Sequence, residues 1–113
     1  MITILNEKRD SNEVFVLSDG VNKLAECEYS LDSAEILYAK AFIENDDTDL
    51  LFDSVIRAVL SRLDFAGKTD VISKNPDLRI ILTKIGFKLV DGLLTINTTE
   101  FFKSTDCNKS DMS

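Results

Sequence analysis

The sequence predicts one small α/β domain of the α+β kind, with a mixed, mostly antiparallel sheet and two main helices. Three observations lead there. A chain of 113 residues with 44% hydrophobic content is long enough for one core and too short for two. The stretch before Ile43 repeats the period of a strand several times, and the stretch after it carries two apolar stripes at helical spacing. Pro76 is the only proline, and no Gly/Ser-rich segment interrupts the chain, so nothing reads as an interdomain linker.

Taken in order, Ile2 to Leu5 reads as a short first strand, and Asn6 to Asn12 as a polar loop too short for a helix. Glu13 to Leu17 is β-branched and aromatic, and Asp19-Gly20-Val21-Asn22 supplies turn chemistry for a hairpin. From Leu24 to Leu31, Ala25, Cys27, Tyr29 and Leu31 alternate with Glu26, Glu28 and Ser30, predicting a strand with one wet face. Glu35 to Ile43 is apolar almost throughout, which predicts a central strand buried on both faces.

Asn45-Asp46-Asp47-Thr48-Asp49 then opens a long helix. Its apolar positions are Phe52, Val55, Ile56, Val59 and Leu63, with Asp53, Arg57, Ser61 and Asp64 on a wet face. Gly67 ends it, and Asp70 to Ser73 is a short strand, implying a right-handed strand-helix-strand unit. Asn75-Pro76 is a helix cap followed by proline in the first turn, ahead of the stripe Leu78, Ile81, Leu82 and Ile85. After Gly86, Lys88 to Val90 and Leu93 to Ile96 flank Asp91-Gly92 as a closing hairpin. The domain is expected over 1–102, with 103–113 a polar, disordered tail.

Composition narrows function. A net charge of -7 opposes binding to a polyanion, so nucleic acid is not expected as a partner. No apolar run approaches the roughly 18 residues of a membrane span, and no basic segment precedes an apolar one at the N-terminus. The membrane is not an expected partner either, and the cytosol is the expected location. With no histidine, a His-containing zinc site, a Ser-His-Asp triad and a Cys-His dyad are excluded. Cys27 reads as core and Cys107 as an exposed tail thiol, not as a disulfide framework.

Four strands, a helix, a strand, a second helix and a closing hairpin form the element order of the GNAT N-acetyltransferase superfamily. The segment Asn75-Pro76-Asp77-Leu78-Arg79-Ile80-Ile81-Leu82-Thr83-Lys84-Ile85-Gly86-Phe87 resembles that family's N-x(n)-L-Y-x-K-x-G-F, matching at Asn75, Lys84, Gly86 and Phe87. The resemblance spans roughly Glu13 to Phe102. A ferredoxin-like or other small α/β sandwich fits the same element string.

The resemblance implies an acetyl-CoA or coenzyme A site, with Phe42, Ile43, Leu50, Leu51 and Asn75 as the cofactor-binding positions. It also exposes what is missing. The family's glycine-rich turn, R/Q-x-x-G-x-G/A, holds pyrophosphate at a helix N-terminus. Here those positions carry Asp47, Leu50 and Phe52, and Asp46, Asp47 and Asp49 leave the turn acidic without a compensating cation. The general-acid tyrosine is replaced by Leu82, and the two helices that normally follow the first strand are absent.

Other carboxylates and phenols have two readings each. Asp46, Asp47 and Asp49 suit helix capping better than a divalent cation, and no metal is expected. Glu28 and Glu35 border the cleft of the resembled fold, where a glutamate can act as general base, but outward strand glutamates are commoner. Tyr29 and Tyr38 offer phenols away from the family's position and suit packing. The expected function is a divergent GNAT-like protein with weak or lost transferase activity. The alternative is a noncatalytic interaction module that binds a second copy or a protein partner.

Overall fold

The computed structural model describes residues 2–42 and 48–103. A single seven-stranded sheet carries the order β1-β2-β3-β4-β5-β7-β6. Strands β1 (Thr3–Arg9), β2 (Asn12–Ser18), β3 (Lys23–Ser30) and β4 (Glu35–Ala41) form an antiparallel meander. Helix α1 (Thr48–Phe65) then returns the chain to β5 (Asp70–Ser73), which lies parallel to β4, as expected for those two segments. A turn of 3-10 helix at Pro76–Leu78 leads into α2 (Arg79–Ile85), and β6 (Lys88–Val90) and β7 (Leu93–Asn97) close the sheet as a hairpin. Asp91 (φ 52) and Gly92 (φ 84) make its two-residue turn, in the left-handed conformation such tight hairpins require.

The first strand is longer than its apolar residues indicate. Asn6 to Arg9, expected as loop, continue β1, and Asp10 at φ 57 turns the chain into β2. Every residue from Thr3 to Lys8 is exposed, so this edge strand has no buried side to impose an alternating pattern.

Cross-strand partners share a face, and the register sorts the sheet into two. Phe15, Leu17, Ala25, Cys27, Tyr29 and Ile36 look toward the helices. They pack with Leu51, Val55, Ile56, Val59, Leu60 and Leu63 of α1, and with Leu82 of α2. Glu28, Glu26 and Tyr38 look the other way, where α1 and α2 do not reach. This corrects the expectation for β4: only Ile36 is fully buried there, and Lys40 is exposed, because helices cover one face alone.

After β7, residues 98–103 form a helical turn that reaches Lys103, the first residue of the expected polar tail; 104–113 lie outside the described residues. Asn97 caps this turn by accepting from the Glu100 N–H at 2.9 Å. It covers part of α1's supposed wet face: Thr98 Oγ1 donates to Asp64 at 2.8 Å, and Arg57 lies 5.0 Å from the Phe101 ring centroid. None of the described helices is long and apolar enough to cross a membrane.

Candidate functional site

The parallel pair β4/β5 is short. Glu35 stands opposite Ile72, and Ile72 N–H donates to Ala34 O at 2.9 Å. β5 ends at Ser73 while β4 runs on to Ala41, paired from there only with β3. Two side chains follow β5 into the opening: Ser73 Oγ donates to Ile36 O at 2.9 Å and Asn75 Nδ2 donates to Leu37 O at 3.0 Å. Asn75 also caps the turn after it, its Oδ1 accepting from Asp77 N–H at 2.9 Å. Both ends of the Asn75 amide thus bind the chain itself.

The other positions named by the resemblance are dispersed. Phe42 is 41% exposed, with its N–H given to Leu24 O at 2.9 Å and its ring under the Lys40 ammonium at 5.3 Å. Leu50 is 63% exposed on the first turn of α1. Leu51, beside it, is buried in the core between α1 and the sheet. Ile43, Asp46, Asp47 and Cys107 lie outside the described residues. Asp49 does have a cation: Lys84 Nζ reaches it from α2 at 3.0 Å, contrary to the expectation of an uncompensated acidic turn. Leu82, at the family's tyrosine position, is fully buried.

Two polar networks flank the sheet, one on each face. On the helix-free face, Arg9 reaches from the end of β1 across β2. Its guanidinium donates to Glu28 at 3.3 Å and to the Tyr38 hydroxyl at 2.8 Å, and it pairs with Glu26 at 3.5 Å. Tyr38 donates its proton to Glu26, and Asn12 occupies the second oxygen of Glu28 at 3.2 Å. Burial, then the bond to Glu26, pushes the Tyr38 phenol up to about 12, far from the pH at which a general acid works well. Neither Glu28 nor Glu26 is a simple outward strand residue, and Glu26 is almost wholly buried.

On the helix face, buried Glu13 accepts from Tyr29 at 2.7 Å, from Asn6 at 2.9 Å and from Arg62 of α1 at 3.4 Å. Burial raises its carboxyl pKa, but the three donors outweigh that and hold it below the usual carboxylate range. Tyr29 is pushed upward by burial and by donating to Glu13, while its ring stacks on Phe15 at 5.8 Å. Cys27 is fully buried, and burial, followed by Glu26 and Glu28, raises its thiol so that it stays protonated. Glu35 belongs to neither network. Among the described residues no three carboxylate or thiol side chains gather as a metal site.

Sequence reasoning missed both networks. Their bonded partners are separated by 7 to 49 positions, so no local spacing announces them. No family model, no characterised protein and no solved structure matches this chain.

Proposed function

We propose that this chain is a GNAT-type scaffold that no longer carries out acetyl transfer and serves as a noncatalytic binding module. The observation that carries this reading is the opening between β4 and β5. In the resembled family the cofactor's arm lies along that opening, and here the carbonyls of Ile36 and Leu37 are already taken by Ser73 and Asn75. A ligand amide would have to compete with both bonds.

The rest of the chain is consistent with that reading. At the start of α1, the Leu50 side chain stands where glycine would let a backbone approach pyrophosphate. Buried Leu82 has no proton to give a departing thiolate. The residues present therefore do not suit coenzyme A. For a protein partner or a second copy, β1 offers a strand at the sheet margin with Ile4 and Leu5 exposed.

Titration calorimetry with acetyl-CoA tests the reading. The expected result is no saturable heat up to millimolar ligand. Submicromolar affinity, or acetyl transfer to an amine, would overturn it. One observation favours a second reading of weak residual binding: the Lys84–Asp49 pair at 3.0 Å offsets part of the acidic turn. In that case Lys84→Glu removes whatever weak heat is seen.

A further inference from the structure

Beyond the end of β5 lies a cleft of about 250 Å³, between the Pro76–Leu78 turn and the β6–β7 hairpin. Its walls are apolar at Pro76, Leu89 and Leu94, and two cations, Lys74 and Arg79, line it. Leu89 is 51% exposed there, an open aliphatic surface beside the charges.

The state of those cations is informative. Arg9, Arg57 and Arg62 each hold a carboxylate, as does Lys84. Among the described residues Arg79 is the one arginine that holds none, and Lys74, like most of the other lysines, holds none either, in a chain whose net charge is -7. The nearest carboxylates in sequence, Asp77 and Asp91, do not line the cleft. The cleft thus sets the one unpaired arginine of the described residues beside a second positive group in a concavity with hydrocarbon walls.

We propose that this cleft binds a small aliphatic monocarboxylate. The guanidinium of Arg79 matches a carboxylate's two oxygens with parallel N–H donors, and Lys74 adds a second charge. The hydrocarbon tail lies on Leu89 and Leu94. The volume is below the roughly 300–1,000 Å³ of sites for drug-sized ligands, which restricts the tail to a short chain. The cleft shares Ser73 and Asn75 with the opening between β4 and β5 but not Leu50 or Phe42, and hexanoate and acetyl-CoA are separate probes, so failure of one test is distinguishable from failure of the other.

The experiment is an amide NMR titration of the full chain with sodium hexanoate at constant ionic strength. Inorganic phosphate and hexan-1-ol are the matched probes for charge alone and tail alone. Hexanoate is expected to shift the amides of Ser73, Lys74, Gly92 and Leu94 saturably, and neither matched probe to do so. Arg79→Gln and Lys74→Gln should each weaken hexanoate by about tenfold, the loss of one charge-assisted contact. Both side chains are exposed, so the variants keep the fold, which a circular dichroism spectrum verifies. No saturation up to tens of millimolar, equal shifts from either matched probe, or unchanged affinity in Arg79→Gln would overturn the proposal.

Discussion

Glu13→Ala is expected to cost about 3 kcal/mol of folding stability, because it strands a buried phenol and removes the acceptor shared by Asn6 and Arg62. The effect should depend on pH in a defined direction. The folded Glu13 carboxyl lies below its unfolded value, so its contribution is complete above the unfolded pKa of about 4.3 and is lost as pH falls through the folded value. Urea unfolding of wild type and variant at neutral pH, and at a pH well below the unfolded value, measures this. A deficit of equal size at both would show that the charge is not the source.

A comparable loss is expected at the centre of α1. Ile56 is fully buried between the helix and the sheet, and Ile56→Ala should destabilise the protein by about 2–5 kcal/mol through lost burial and a residual cavity. Ile80, on α2, is 71% exposed, and Ile80→Ala should stay within about 0.5 kcal/mol. Denaturant midpoints at a common slope compare the two. Similar values for both variants would mean that the helix does not rest on the sheet through this face.

The elements best read from sequence are those whose physics is local. The Asn75 cap, the Asp91-Gly92 turn and the Gly86 stop each rest on a few adjacent residues. The stripe on α1 was legible as well, although it is wider than its spacing showed: Leu51 and Leu60 are also buried, because the helix sits over β2, β3 and β4 together. That width is what takes Leu51 away from a cleft role. Where exposure is uniform, periodicity has nothing to report, and so the second half of β1 read as loop. The helical turn at 98–103 had a readable signal in Asn97-Thr98-Thr99-Glu100, a capping residue with glutamate three positions on, followed by Phe101 and Phe102.

Of the candidate site, the sequence carried residue types but not their partners. Asn75 as a cap was foreseeable; its bond to Leu37 depends on where β5 stops relative to β4. Lys84 matched a family position by type, yet its pairing with Asp49 spans two helices. Register and helix placement decide such contacts, and both emerge only once the sheet is assembled.

The two carboxylate-bound phenols have a spectroscopic consequence. Tyr29 and Tyr38 are the only tyrosines, and the chain has no tryptophan, so its near-ultraviolet signal comes chiefly from these two rings. They stand on opposite faces of one sheet, and each gives its proton to a glutamate. An unfolded chain ionises both near the ordinary phenol value of about 10. The folded chain holds Tyr38 back to about 12 and Tyr29 likewise upward. The stability this represents is whole below the unfolded value and is lost as pH rises through the folded ones. Tyrosinate absorbance in mild alkali is therefore a label-free reporter of opening: the native sheet stays silent, and colour develops only as its two faces release their protons.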